Sequence, residues 1–242
     1  MYLTLFLTLF VIAAISLVVI GVCTWNNNKN SHTFIPFDHA LFDKYPHMKK
    51  YGNRVKFEKM DKMFRVVLQV MANTRIRYWA MFGTLLGLYR DKSLLPWDYD
   101  VDFAVYESDL PLLWALNDTF KEHGMVLKKS KNNTVKMYRL KDIPADAPDY
   151  FYTSKTHLDF YVYKEDSKGT LTRGCRLNWP KVTCNRYSVK RPINQIQSQD
   201  LWPLRKVMLP GYLHPIPFPH NTERVLSTCY GSDWSTPKYT HV

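Results

Sequence analysis

The chain has 242 residues, 46% hydrophobic and 22% charged, which excludes a disordered or low-complexity protein because such chains cannot bury enough apolar surface to fold. Four cysteines are too few for a disulfide-built scaffold. The net charge is +12 and all of it lies at or after Lys29; a basic surface attracts anions, but the basic residues are scattered and form no nucleic-acid module, so no nucleic acid is expected as partner.

Tyr2 to Cys23 is an uncharged run broken only by Thr4, Thr8 and Ser16. About 20 apolar residues at roughly 1.5 Å each cover the ~30 Å hydrocarbon core. The start is not basic and the run is long, so residues 1–23 are predicted as a transmembrane signal-anchor rather than a cleaved signal peptide. Residues 24–54 read as a stem, beginning with the polar stretch Asn26 to Ser31. Residues 55–242 read as one domain.

Within the domain, Met60, Met63, Phe64, Val67, Leu68 and Met71 recur at helical spacing and predict a helix over Val55 to Ile76 with those side chains in the core. Trp79 to Phe82 is a short apolar segment, and Val101 to Val105 a short strand. Ser108 is placed to cap a helix through Leu112, Leu113, Leu116 and Phe120, closed by Gly124. Strand-like runs follow at Met125–Lys128, Val135–Leu140 and Leu158–Tyr163. Pro210-Gly211 in the middle of Val207 to Ile216 predicts a hairpin. Asn221 is placed to cap a last helix through Val225 and Leu226, with Gly231 beyond its end. Helices and strands mix without a regular repeat, which predicts an α+β fold: a mixed sheet flanked by helices, preceded by one amino-terminal transmembrane helix.

The chemistry concentrates between Gly83 and Asp102. Asp98, Asp100 and Asp102 alternate, and on a strand period-two spacing puts all three on one face. Crowded carboxylates repel one another, which a hard divalent cation between them relieves. Mg²⁺ or Mn²⁺ prefers such oxygen ligands and takes others from substrate phosphates. Gly83 lets backbone approach a ligand closely, and Thr84 offers a hydroxyl and an amide at an expected helix start, a ready anion site. Arg90 has a fixed charge suited to phosphate. A third acid is expected on a neighbouring strand, and His157-Leu158-Asp159-Phe160 supplies Asp159 in an alternating run. Two Asp on one strand and one on the next suit metal-assisted phosphoryl transfer. His157 reads equally as a supporting donor or an edge histidine. Trp97, Tyr99, Trp202 and Trp234 read equally as donor-pocket rings or core.

Gly83-Thr84-Leu85-Leu86-Gly87-Leu88-Tyr89-Arg90, then Pro96-Trp97-Asp98-Tyr99-Asp100-Val101-Asp102, resembles the signature of the LicD/fukutin family of the polymerase-beta-like nucleotidyltransferase superfamily. The likeness continues through His157 to Phe160, Trp202-Pro203-Leu204-Arg205 and Tyr230-Gly231-Ser232-Asp233-Trp234, and covers about Val55 to Pro237. The resemblance implies transfer of phosphocholine or ribitol phosphate from a CDP-alcohol donor to a glycan hydroxyl, with release of CMP. It implies that Asp100, Asp102 and Asp159 are catalytic and hold Mg²⁺ or Mn²⁺. Asp98 matches the first acid of the triplet and either binds metal or shapes the turn. Gly83, Thr84 and Arg90 would contact the donor, and Asp159 would serve as base.

The flanking lysines alone favour a cytoplasmic domain. The resemblance implies the opposite, a single-pass type II protein facing the Golgi or ER lumen. There Asn117 and Asn132 are glycosylation acceptors by pattern, and Cys175 and Cys184, nine positions apart, would form a disulfide. The stem is shorter than in animal fukutin-like proteins, which leaves the donor alcohol open. A catalytically inactive glycan- or partner-binding protein is the competing reading. A nucleotidyltransferase acting on nucleic acid is the third.

Overall fold

The computed structural model describes residues 40–130, 134–149, 151, 153, 155–173, 175–178, 181–184 and 195–236. The expected transmembrane segment at 1–23 and the first part of the stem lie outside the described residues. Among the described residues, no helix is long and apolar enough to cross a membrane. The described residues all belong to one compact unit.

Helix α1 (Ala40–Lys44) and a 3₁₀ turn over Pro46–Tyr51 open the described chain. Leu41, Tyr45 and Met48 are buried there, and Trp97 packs against them. This part of the expected stem therefore contributes core. Asn53 caps α2 (Arg54–Met71) by accepting from the Lys56 amide at 3.0 Å. All six predicted core residues of that helix are buried.

Strand β1 (Tyr78–Ala80) leads into α3 (Phe82–Arg90), then β2 (Asp100–Tyr106). The single helix expected after Ser108 is two, α4 (Leu110–Ala115) and α5 (Asn117–Glu122), broken at Leu116. Ser108 does not cap; it accepts from the Arg77 guanidinium at 2.6 Å, and Arg77 also grips Asp109. Strands β3 (Met125–Lys129), β4 (Thr134–Arg139), β5 (His157–Glu165) and β6 (Thr170–Arg173) follow. Next come β7 (Cys175–Asn178) and β8 (Lys181–Cys184), a separate pair whose register sets Cys175 opposite Cys184. The chain then forms β9 (Gln195–Gln197), α6 (Ser198–Leu201), β10 (Arg205–Val207) and β11 (Ile216–Phe218). The predicted hairpin pairs β10 with β11, and Pro210-Gly211 forms its turn, with Gly211 at φ 80°. Helix α7 (Thr222–Tyr230) is capped by Asn221 and closed by Gly231 at φ 90°, as its sequence predicts.

The main sheet runs β1-β2-β5-β4-β3, with β6 on β5 and β9 on β6. Only the β2–β5 pair is parallel. The expected mixed sheet flanked by helices is present. Its apolar face carries Val101, Phe103, Val105, Leu158, Phe160 and Val162, all buried. Phe64 of α2 stacks on Phe103 at 5.4 Å, and Phe103 lies 6.1 Å from Phe160. Each such fully buried ring or branched chain contributes about 1.5–3 kcal/mol. One polar pair joins this packing: Asp61 accepts from Arg65 Nε at 2.7 Å, while Arg65 Nη1 donates to the Gly211 carbonyl at 2.7 Å. That pair ties α2 to the β10–β11 turn.

Candidate active site

The parallel register of β2 and β5 builds the site. It pairs Asp100 with His157, Asp102 with Asp159 and Ala104 with Tyr161. Paired residues on adjacent strands point to the same face. Strand β4 adds Lys136 opposite Asp159, and β6 adds Arg173 opposite Tyr163. The face opposite the apolar one therefore gathers two Asp, a His, a third Asp, a Lys and an Arg. The alternation predicted all three triplet acids on a strand. In the structure β2 begins at Asp100, and Asp98 lies in the preceding turn, its amide bonded to the Leu95 carbonyl at 3.1 Å.

Helix α3 starts against these acids. The Met81 amide donates to the Asp102 carbonyl at 3.0 Å, and the Asp102 amide donates to Thr84 Oγ1 at 2.8 Å. Thr84 thus fixes the strand that carries Asp102. A Cβ at Gly83 would collide with Oδ2 of Asp98, so glycine is what lets that carboxylate reach the helix start. No side chain caps α3, and its positive end faces the acidic cluster. Arg90 is elsewhere. It sits eight residues along, about 12 Å from the helix start. Its Nε donates to Asp91 at 2.8 Å and its guanidinium lies 5.3 Å from the Tyr45 ring. Asp91 also accepts from Lys44 and Tyr45, so Arg90 is part of a knot fastening α1 to α3.

His157 Nδ1 lies 2.8 Å from the Lys155 carbonyl. A carbonyl only accepts, so Nδ1 carries a proton there. The other nitrogen, Nε2, faces Asp100 Oδ2 at 3.9 Å and Asp159 Oδ1 at 3.7 Å. Ligand atoms of Asp100, His157 and Asp159 lie within 4.8 Å of one another. Lys136 Nζ donates to both oxygens of Asp159, at 2.6 and 2.8 Å, and both side chains are buried. That arrangement suits Asp159 to a ligand role more than to the base role the resemblance implies, since each oxygen already takes a proton donor.

Burial and crowding dominate the acids. Burial first, then the charges of Asp98 and Asp159, push Asp100 up to about 7, against His157 and Lys136. Burial followed by the charge of Asp100 raises Asp102 well above the usual carboxylate range. Burial raises Asp98, offset by the Tyr99 amide and a side-chain hydrogen bond with Asp100. Crowding of this kind is what a bound cation would relieve. Buried Oδ1 of Asp102 has no hydrogen-bond partner. An orphaned carboxylate oxygen beside two further carboxylates and an imidazole nitrogen fits a divalent cation. Oxygen ligands suit Mg²⁺ or Mn²⁺, and the imidazole suits Mn²⁺ better than Mg²⁺.

Of the expected residues, the structure brings together Gly83, Thr84, Asp98, Asp100, Asp102 and Asp159. It leaves Arg90 apart. His157 joins the cluster directly, a position the edge-histidine reading would not give it. Lys136 and Arg173 were not foreseen. Lys136 did carry a signal: it shares a strand face with Thr134 and Tyr138, while the apolar Val135 and Met137 take the other. Of the four aromatic candidates, Trp97 packs on Phe42 and Tyr45, Trp202 donates to the Tyr106 hydroxyl at 2.7 Å, and Trp234 packs on Tyr89. Only Tyr99 stands among the acids, half-exposed and 6.5 Å from the His157 ring.

Residues 75–218 match the model of the LicD/FKTN/FKRP nucleotidyltransferase domain. The chain is also similar to ribitol 5-phosphate transferase FKRP of Mus musculus and of Homo sapiens. Each is 44% identical over 46 residues, which is 19% of this chain and 9% of the relative. It is similar to an uncharacterized protein of Rickettsia typhi, 30% identical over 63 residues, 26% of this chain and 20% of that protein. The matches thus span a small fraction of these curated relatives. The family match covers more than half of the chain and contains the acids, His157, Lys136 and the start of α3, so the chain belongs to the LicD/FKTN/FKRP family.

Proposed function

We propose that this protein transfers a phospho-alcohol, phosphocholine or ribitol phosphate, from a CDP-linked donor to a glycan hydroxyl and releases CMP. The observation that carries the reading is the cluster of Asp100, His157 and Asp159, with Asp102 beside it, at the start of α3 within the family domain. The likeness to FKRP, whose name is ribitol 5-phosphate transferase, favours ribitol phosphate of the two.

On this reading Asp100, His157 and Asp159 hold a divalent cation, with Asp102 and Asp98 completing the acidic ring. When bound, that cation would neutralise charge on the donor diphosphate and make the acceptor hydroxyl more acidic. The chain's own residues do the rest. Lys136 orients Asp159 through both oxygens. Thr84 and Gly83 lock the helix start against Asp102 and Asp98. The uncapped amides at that helix start favour negative charge on the donor. We further propose that residues 1–23 anchor the domain as a single-pass type II protein in the Golgi or ER lumen; the apolar run Tyr2–Cys23 supports this.

Purified full chain in detergent, incubated with CDP-ribitol, CDP-choline or CDP-glycerol with and without Mn²⁺, tests the chemistry through CMP release. Metal-dependent release from one donor, lost in Asp100→Ala, is expected. An inactive binding protein would instead bind Mn²⁺ weakly or not at all and release no CMP even when candidate glycans are supplied. A mass shift on endoglycosidase treatment, mapped to Asn117 or Asn132, is expected for a lumenal domain.

A further inference from the structure

We propose that Arg173, and not Arg90, supplies the fixed positive charge that grips a phosphoryl group at this site; the inference rests on the phospho-transfer reading above. Arg173 ends β6, directly opposite Tyr163 of β5. Its guanidinium carbon lies 3.9 Å from the centroid of the Tyr161 ring and 4.8 Å from that of Phe82. Those two rings meet edge to face, 4.9 Å apart at 88°. The guanidinium therefore sits in the corner of two perpendicular rings. Ring contacts of this kind offer no lone-pair acceptor, so the guanidinium N–H groups keep their capacity to bind an anion.

The place of that corner matters. Tyr161 lies two residues beyond Asp159 on the same strand face. Phe82 is the first residue of α3, next to Gly83 and Asp98, and holds a positive φ of 47°. A non-glycine residue in that backbone region is uncommon and costs energy that the surroundings must offset. Here the φ turns the ring of Phe82 towards Tyr161, and Arg173 rests on both. The guanidinium is thus positioned from two sides, by the strand that carries Asp159 and by the helix start that meets Asp98. Its charge acts on Asp102, Tyr161 and Tyr163, in each case opposing the upward push of burial.

Among the described residues the Arg173 guanidinium makes no hydrogen bond or ion pair, although it is half-buried. Five donors held rigidly beside an acidic cluster, yet paired with none of it, call for an acceptor from outside. A carboxylate or phosphate matches the planar fork, and a phosphate oxygen can bridge the fork and a cation held by the acids at once. Lys136, the other basic group on this face, is committed to Asp159, and Arg90, outside the site, to Asp91.

The test compares wild-type full chain in detergent with Arg173→Gln, Arg173→Lys and Arg173→Leu, all with Mn²⁺. The probes are inorganic pyrophosphate, CDP-ribitol, CDP-choline and cytidine, with affinity read by calorimetry. Arg173→Gln and Arg173→Leu are expected to weaken pyrophosphate and the CDP-alcohol at least tenfold, and Arg173→Lys to recover part of the loss. Mn²⁺ affinity, measured without phosphate, should fall in none of them, which also reports a folded site. If pyrophosphate binding is Arg173-dependent but no CDP-alcohol binds, the phosphoryl contact stands and the donor reading falls. If a CDP-alcohol binds wild type and all three variants alike, the donor reading stands and the Arg173 assignment is overturned. If wild type binds none of the phosphate-bearing probes, both are overturned.

Discussion

The two faces of one pair of strands are built to opposite rules. On one face Val101, Phe103, Val105, Leu158, Phe160 and Val162 pack under α2, all of them buried. On the other face Asp100, Asp102, His157 and Asp159 alternate with them, one residue out of step. The apolar face lowers the free energy of the fold. The polar face raises it, because burial and mutual repulsion push Asp100 and Asp102 far above their ordinary proton affinities. The period of two along a strand keeps these rules from interfering.

Asp102→Asn should separate the faces most sharply. It keeps the shape and puts a neutral amide in place of a buried ionisable group whose Oδ1 has no partner. Transfer is expected to drop at least about 10³-fold, comparable with loss of other charge-stabilising groups in active sites. Stability in EDTA is expected to rise by about 1–3 kcal/mol, the cost of leaving such a group unpaired. Urea unfolding and CMP release on the same sample check both, and a loss of stability together with activity would mean that Asp102 is structural. Phe103→Ala should do the reverse. A cavity between Phe64 and Phe160 is expected to cost about 3–5 kcal/mol. Mn²⁺ affinity of the molecules that remain folded should change little, as read by calorimetry below the unfolding transition.

The same contrast explains what the sequence made legible. Period and composition located the apolar stripe of α2, the β10–β11 hairpin, and α7 with its Asn221 cap, because each of these is decided by neighbours in sequence. The triplet acids and Asp159 were legible for the same reason: alternation is local. The register that joins them is not. Nothing local says that β2 runs parallel to β5 with Asp100 opposite His157, or that β4 places Lys136 against Asp159. Arg90 illustrates the converse. It is close to Gly83 in sequence, but a helix carries it about 12 Å away, where Asp91 and Tyr45 take its charge. Arg173 is remote in sequence and arrives through β6. The diversion of Ser108 to Arg77 arises from a tertiary contact that a capping rule cannot see.

Proton linkage offers a gentler way to weigh the polar face. Asp100 has its proton affinity raised to about 7 in the fold, against 3.8 unfolded. Between those values the folded state binds more protons than the unfolded state, so stability falls as pH rises through that window. Below about pH 4 both states are protonated and the group contributes nothing to the slope. In EDTA a loss of about 1–3 kcal/mol between pH 4.5 and 7.5 is expected from the acidic face, with Asp98 and Asp102 acting in the same direction. Added Mn²⁺ competes with those protons, so the metal-induced rise in Tm should be larger at pH 7.5 than at pH 5. Equal rises at both pH values would mean that Asp100 does not take part in binding it. Asp100→Asn should flatten the metal-free slope.

The smallest expected effect is at Gly83. In an exposed helix, glycine to alanine gains up to about 1 kcal/mol from backbone entropy and helix propensity. Here the added methyl meets Oδ2 of Asp98. Asp98 cannot simply withdraw, because its Oδ1 accepts from the Tyr99 amide at 3.0 Å and its other contacts run to Asp100. Gly83→Ala is therefore expected to cost about 1 kcal/mol rather than gain it, a steric clash of the overpacking kind. The displaced Asp98 would also disturb Asp100, so transfer should fall more than stability does. The double variant Gly83→Ala/Asp98→Ala removes both sides of the clash. It should recover stability to at least the wild-type value, measured by urea unfolding, while transfer stays low. Recovery of both would show that the Asp98 carboxylate has no part in transfer. Recovery of stability alone would place its carboxylate in the working face of the sheet.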